Sequence, residues 1–226
     1  MLLHIPSVFT KTEVSQIRQA LDVGVWVNGA ATAGPMAAQA KHNQQFSTES
    51  SEYPALSQSI VSALERHPLF VSAALPRHIL PPMFNRYAVG ETYGNHVDNA
   101  IQMDGRTGAR VRTDVSVTVF LSEPETYEGG ELVVQDTYGS HEVKLPAGDA
   151  IVYPASSLHR VEPVTSGVRT ASFLWVQSLV SDAWRRNMLF ELDMNLLKLR
   201  GQLGNTPEIV DLAGHYHNLI RQWSDS

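Results

Sequence analysis

The 226-residue chain has no cysteine, which excludes disulfides, thiolate metal ligands, iron–sulfur clusters and a cysteine nucleophile together. Any metal must be held by histidine and carboxylate. Basic charge is sparse: 17 Lys and Arg against 23 Asp and Glu give a formal charge of −6, and no segment is dense in either cation. The electrostatic footprint of a nucleic-acid binder is missing. No window approaches 18 uninterrupted apolar residues, and "MLLHIPSVFTKTEV" lacks the basic start and long apolar run of a secretion signal. We therefore expect a cytoplasmic protein with neither nucleic-acid nor membrane partners. Glycine spacing of the dinucleotide-binding kind is also absent. What is present, 43% hydrophobic residues, is enough for the core of one large domain.

The order of periods along the chain sets the architecture. Thr10 followed by Glu13 has the spacing of a capping box, and Val14, Ile17 and Leu21 fall on one helical face. A second helix is expected from Pro54 to Arg66, where Leu56, Ile60 and Leu64 recur, with His67-Pro68 ending it. The small-residue stretch "NGAATAGPMAAQAKHNQQ" between them reads as loops with an edge strand. From about Leu80 the period becomes two: Val115, Val117, Val119 and Leu121 alternate with Ser116, Thr118 and Phe120, as in a strand with one buried face. Further short strands are punctuated by Gly129-Gly130, Tyr138-Gly139, Pro146-Ala147-Gly148-Asp149 and Ser166-Gly167. That is a sandwich or barrel pattern. After Val180 the helical period returns through Trp184, Met188, Leu192, Leu196 and Leu199, and Thr206-Pro207 opens a last helix. The expectation is a mainly β domain over 1–180, with N-terminal helices, and a C-terminal helical appendage over 181–226.

Within "NRYAVGETYGNHVDNA", His96 and Asp98 sit two apart on a strand-like segment, so their side chains can project from one face. His159, in "YPASSLHRVEPV", supplies a third candidate. Two histidines and one carboxylate from separate strands make the facial triad of non-haem Fe(II) oxygenases, which leaves three coordination positions open. An HxD pair on a strand is also what an ordinary surface pair looks like. Arg169, ten residues after His159, shares a strand face with Ala171, Phe173 and Trp175. A guanidinium on so apolar a face calls for a specific anion, either an internal carboxylate or the distal end of a dicarboxylic acid. Elsewhere, His215 and His217 form an HxH pair, but on a helix i and i+2 diverge, and they read as solvent-exposed. Asp114 and Glu131 are expected to cap turns or pair with arginine, and Asp149 to serve a turn.

With HxD, a distal His and an Arg ten residues on, the chain resembles the Fe(II)/2-oxoglutarate dioxygenases of the prolyl-4-hydroxylase-like superfamily, and more closely the bacterial PKHD-type hydroxylases associated with iron uptake. The blocks "KHNQQ", "MFNRYAVGETYGNHVDNA", "RTDVSVTVFLSEPETYEGGELVV", "AGDAIVYPASSLHRVEPVTSGVRTASFLWVQS" and "LFELD" carry the likeness. It implies a double-stranded β-helix, or jelly roll, with Fe(II) on His96, Asp98 and His159 and the 2-oxoglutarate carboxylate on Arg169. It also implies dioxygen as co-reactant, an unidentified primary substrate, release of succinate and CO2, and L-ascorbate as an accessory reductant. Tyr87 and Tyr93 flank the first ligands and can bond the cosubstrate, close the pocket, or simply pack in the core. "NAIQMDGRTGARVR" reads as a mobile lid, and the C-terminal helices as packing on the barrel or forming a homo-oligomer interface. A jelly-roll iron sensor or small-molecule binder, and a zinc hydrolase, remain alternatives; Arg169 distinguishes the sensor, which has no use for a dicarboxylate anchor. Histidine ligation leads us to expect weaker iron binding below pH about 6.5.

Overall fold

A computed structural model describes residues 1–32 and 40–225 of the chain. The capping box forms as its spacing requires: the Thr10 hydroxyl accepts from the Glu13 amide at 3.3 Å, and the Glu13 carboxylate accepts from the Thr10 amide at 2.7 Å. Helix α1 (Lys11–Val23), preceded by strand β1 (Leu3–Ile5), buries the expected Val14, Ile17 and Leu21. Three short strands follow, β2 (Trp26–Asn28), β3 (Lys41–His42) and β4 (Gln44–Phe46). The small-residue stretch expected as loop and edge strand falls partly at 33–39, outside the described residues. Helix α2 (Tyr53–Arg66) buries the Leu56, Ile60 and Leu64 repeat. His67 ends it in an extended conformation, as a residue before proline prefers. Pro68 then occupies the first turn of a new helix, α3 (Pro68–Ala74), where its missing N–H is no loss. Two turns are too few to display a helical period, so pattern reading passes over α3.

Strands take over at Pro76: β5 (Pro76–Ile79), β6 (Met83–Tyr87), β7 (Thr92–His96), β8 (Ile101–Met103), β9 (Arg110–Arg112), β10 (Val115–Phe120) and β11 (Tyr127–Gly129). Then come β12 (Leu132–Asp136), β13 (Gly139–Val143), β14 (Ala150–Pro154), β15 (His159–Val161), β16 (Val164–Gly167) and β17 (Arg169–Ser178). Eight strands make one sheet, β1-β14-β10-β17-β6-β4-β2 with β5 also on β17, and five make another, β13-β12-β15-β7-β3. The two sheets stack as a jelly roll, joined by Phe120, Ile151 and Tyr153 of the large sheet and Leu132, Val134 and Val161 of the small one. On its other face the large sheet carries the helices, where Val115, Val117 and Val119 pack with Ile17, Leu21, Ile60 and Phe70. All six residues of β10 are buried. Its Ser/Thr/Phe face, the solvent side of a half-buried strand by alternation alone, is turned into the jelly roll interior.

The C-terminal helices α4 (Ala183–Leu203) and α5 (Pro207–Trp223) build a third cluster with Leu75, Val180, Leu189, Leu196 and Tyr216. The expected Trp184–Met188–Leu192–Leu196–Leu199 stripe is only partly inward. Leu196 is buried, whereas Trp184 is 73% exposed and Met188 45%. The inner face is set instead by Arg186, which donates to the carbonyls of Val180 and Ser181 at 2.7 Å and of Asp114 at 3.3 Å. A buried guanidinium must satisfy its donors, and doing so rotates the helix about its axis. Thr206 caps α5 with Pro207 in the first turn, as expected. Among the described residues no helix is long and apolar enough to cross a membrane.

Residues 99–112, expected as a mobile lid, instead form the β8–β9 hairpin, and Asp104 braces its turn. That carboxylate, with no solvent exposure, accepts from the Arg106 amide at 2.9 Å and from the Arg106 guanidinium at 3.2 and 3.1 Å. It also lies 2.8 Å from His78 Nε2 on β5. The Arg106 hydrogen bonds, aided by His78, hold Asp104 well below the usual carboxylate range despite its burial. A carboxyl depressed in the folded state contributes stability that is full above its unfolded value of about 3.9 and is lost as pH falls below it. We therefore expect Asp104→Asn to lower stability by about 1–3 kcal/mol at pH 7, with Arg106 half exposed and its share screened accordingly. The difference from wild type should shrink in urea titrations carried below pH 4. A variant equal to wild type at neutral pH would show that the brace is dispensable.

Candidate metal centre

β7 ends at His96, and Asp98 follows just beyond the strand rather than on it. The two side chains still converge, because the Ser116 hydroxyl on β10 donates to Asp98 Oδ2 at 2.5 Å and draws the carboxylate inward. His159 opens β15, which pairs antiparallel with β7 so that His159 stands opposite His96. Their rings are 4.1 Å apart between centroids, and His159 Nε2 lies 3.8 Å from Asp98 Oδ1. One ligand atom from each of His96, Asp98 and His159 falls within 4.8 Å of the other two.

The tautomers are set by backbone. His96 Nδ1 lies 2.8 Å from the Gly94 carbonyl and His159 Nδ1 lies 3.0 Å from that of Ser157, each two residues back along the chain. A carbonyl only accepts, so Nδ1 carries the proton and Nε2 presents its lone pair. The donor set of two imidazole nitrogens and one carboxylate, already oriented by outer hydrogen bonds, fits a divalent cation. Burial, reinforced by the neighbouring His159, lowers the His96 imidazole to about 4. Proton competition at His96 thus begins below the unperturbed value near 6.5 that the sequence suggested.

A register shift brings Tyr93 into the same wall. Tyr93 pairs with Val161 and His96 with His159, so three steps of β7 span two of β15. Without that extra residue, an odd separation would place Tyr93 and His96 on opposite faces. With it, the two rings stack at 3.6 Å and 18°. Tyr87, wholly buried, is pushed up to about 12 by burial, and burial likewise raises Tyr93. Both phenols are neutral and line a cavity of about 90 Å³ together with the three candidate ligands.

Arg169 also lines that cavity, 1% exposed, with its guanidinium 5.4 Å from the ring centres of Tyr87 and Phe120. Its Nε has no hydrogen-bond partner among the described residues, and the Tyr127 hydroxyl stands beside the guanidinium as a polar neighbour. A buried donor left over in this way calls for an acceptor from outside the chain. Space for the arginine stem comes from Gly130, whose φ is +67° and where an added Cβ would meet Arg169 Cδ at 3.1 Å. The sequence had marked Gly130 only as turn punctuation. Lys41, Ser116 and Tyr153 also line the cavity and were not singled out. Ser116 carried one signal, a hydroxyl in an otherwise apolar alternation. Lys41, 5% exposed, carried none; burial lowers its amine to about 8, which keeps it mostly protonated at pH 7.

The other polar residues are structural. Asp114 pairs with Arg112 at 2.7 Å, Glu131 lies 3.6 Å from Lys144, and Asp149 receives the Ser7 amide at 2.9 Å beside His4 at 2.7 Å. His215 and His217 are exposed on α5, as helical geometry requires.

Residues 82–177 match the 2OG-Fe(II) oxygenase superfamily. A 2OG-Fe(II) oxygenase family oxidoreductase from Burkholderia pseudomallei shares the fold with a TM-score of 0.57 at 19% identity, over 77% of this chain and 84% of that one. A Pseudomonas putida prolyl-4-hydroxylase does so at 0.51 and 19%, over 78% and 92%. The fold is thus that of the 2-oxoglutarate- and Fe(II)-dependent oxygenases. Residues 183–225 match the PKHD-type hydroxylase C-terminal domain. A PKHD-type hydroxylase of Hyphomonas neptunium is 58% identical over 226 residues, all of both chains, and one of Herminiimonas arsenicoxydans 56% over 223, covering 99% of each. The chain belongs to the PKHD-type hydroxylases, within the 2OG-Fe(II) oxygenase superfamily.

A histidine whose folded value lies below its unfolded value takes up its proton first in the unfolded chain, so acidification favours unfolding. The metal-free protein should therefore lose stability through His96 as pH falls from 6.5 toward about 4. Thermal melting across that window in wild type and His96→Ala measures this, and the variant should show the shallower slope. Parallel slopes would mean that the imidazole is not held neutral by its surroundings.

Proposed function

We propose that this hydroxylase binds Fe(II) through His96, Asp98 and His159 and uses 2-oxoglutarate and dioxygen to convert a C–H bond of an organic substrate into C–OH. In the balanced reaction, 2-oxoglutarate loses CO2, one oxygen atom enters the resulting succinate, and the other enters the substrate. The iron, when bound, supplies the oxygen-activating redox chemistry that no side chain of this chain provides. L-ascorbate belongs to the proposal as a reductant that keeps the metal ferrous, outside the balance. We place the reaction in the cytoplasm.

The observation that carries the reading is the pairing of a three-ligand cluster with a buried guanidinium in one cavity. Two neutral imidazoles and one carboxylate neutralise half of a divalent charge and leave room for a bidentate anion. Arg169 offers an unpaired buried Nε to the far carboxylate of that anion. Tyr87, held neutral by burial, stands beside the guanidinium as a further hydrogen-bonding group. The Ser116 hydroxyl orients Asp98, and the Gly94 and Ser157 carbonyls hold both imidazoles with Nε2 inward. Tyr93, stacked on His96, limits rotation of that ring. Leu132, Val161 and Leu174 add apolar surface to the cavity wall, which lowers the local dielectric around the charged groups. An iron sensor would have no use for Arg169.

Anaerobic addition of Fe(II) and 2-oxoglutarate to the wild type should develop the visible charge-transfer band of a chelated complex. Ala in place of His96, Asp98 or His159 should abolish metal retention. Arg169→Ala should weaken 2-oxoglutarate binding at least about tenfold, about 1.4 kcal/mol, with metal binding nearly unchanged. A colourless wild-type mixture, or undiminished 2-oxoglutarate affinity without Arg169, would refute the assignment.

A further inference from the structure

The start of β17 serves two separate spaces. Arg169 and its β6 partner Tyr87 line the metal cavity, whereas Thr170 and its partner Arg86 line a recess on the other face of the large sheet, as alternation along a strand requires. This recess measures about 200 Å³ and shares no lining residue with the metal cavity. Helix α1 closes it with Arg18, Leu21 and Asp22, and β2 with Trp26.

We propose that the recess is a second binding site and that its ligand is a small apolar α-amino acid, with the carboxylate held by Arg18 and Arg86 and the ammonium group by Asp22. The site is independent of the oxygenase reading above and of every ligand named there.

The two guanidiniums argue for the carboxylate. Arg18 Nη1 donates to the Ser122 hydroxyl at 2.9 Å, and Arg86 Nε donates to Gln44 Oε1 at 2.6 Å. Each bond aims its side chain and leaves the other N–H groups of a planar fork unspent among the described residues. The Ser122 anchor is itself fixed, since its hydroxyl accepts the Thr170 amide at 2.9 Å and donates to the Val168 carbonyl at 3.1 Å. Arg86 has a second support. Its guanidinium carbon lies 4.5 Å from the ring centre of Trp26, and that indole donates to the Leu21 carbonyl at 3.0 Å and stands edge-on to Phe46 at 5.4 Å. Two cations oriented in advance, with no carboxylate on either, are completed by a ligand that brings one.

Asp22 argues for the ammonium group. It lies one turn of α1 beyond Arg18, where side chains are neighbours, yet no ion pair joins it to Arg18 or Arg86 among the described residues. A purely anionic ligand would meet this exposed carboxylate, and a purely cationic one the two guanidiniums. A compact zwitterion answers both charges at once. Leu21, Val168 and the Trp26 ring add apolar surface for a hydrocarbon side chain. The volume, below the roughly 300–1,000 Å³ of sites for drug-sized molecules, limits the ligand to a single small residue.

The test titrates the full chain calorimetrically with L-leucine, with 4-methylpentanoate, which lacks the ammonium group, and with 3-methylbutylamine, which lacks the carboxylate. Inorganic phosphate is the fourth probe. We expect saturable binding of leucine, at least tenfold weaker binding of each single-charge analogue, and none of phosphate. Arg86→Gln should weaken leucine at least tenfold. Asp22 is exposed, so Asp22→Asn probes the site without disturbing the fold; it should weaken leucine at least fivefold and tighten 4-methylpentanoate. Arg169→Ala, which alters the metal cavity, should leave leucine affinity unchanged. No saturable leucine binding by wild type, an analogue or phosphate bound as tightly as leucine, leucine affinity unchanged in Asp22→Asn or in Arg86→Gln, or leucine binding lost in Arg169→Ala would overturn the proposal.

Discussion

The antiparallel pairing of β7 with β15 is the constraint on which the site depends. It sets His96 opposite His159, and the two imidazoles reach one point only in that register. A slip of one residue would turn one of them to the outer face of the sheet. The same pairing contains the extra residue that turns Tyr93 inward and stacks it on His96. Gly94, inside this irregular stretch, accommodates the close approach of Ala40, whose carbonyl accepts its amide at 2.9 Å and whose Cβ would lie 3.1 Å from an added Cβ. Register, bulge and glycine act as one device.

The large sheet gives that device a rigid floor. Its helix-facing side is an apolar packing surface of Val115, Val117, Val119, Leu174 and Val176 against α1, α2 and α3. Burial of this kind stabilises at roughly 25 cal/mol per Å² of apolar area and fixes the strands from behind. The inward side is then free to carry polar groups, and Ser116 and Arg169 sit there among Phe120, Tyr153 and Tyr87. The Ser116 hydroxyl is tolerated there because it donates to Asp98, and the Arg169 guanidinium lies against the rings of Tyr87 and Phe120. The alternation on β10 and β17 thus separates structure from chemistry across the thickness of one sheet.

Buried charges secure the periphery. Asp104 ties the β8–β9 hairpin to β5 through His78, so the wall beside the site is braced where composition alone implied mobility. Asp114 performs a similar task at the other end: it binds Arg112, accepts the Ser178 amide at 2.9 Å, and offers its carbonyl to Arg186 of α4. Arg112 also reaches Asp225 at 2.7 Å, which fastens the end of the chain to the β-domain. These contacts join the C-terminal helices to the strands that carry the cavity.

The sequence by itself determined whatever depends on local spacing: the capping box at Thr10, the helical repeats of α1 and α2, the period-two strands with their turns, and His96, Asp98, His159 and Arg169 as residues in search of a common ligand. Those signals are legible because one turn of helix or one pleat of strand relates neighbours a few positions apart. Only the tertiary structure decided which strand faces meet. It turned Ser116 and Thr118 inward, set Lys41 beside the cavity, made room for the Arg169 stem at Gly130, and exposed Trp184 by drawing Arg186 under α4. Each of these follows from partners tens of residues away in the chain, and no periodicity records a partner at that distance.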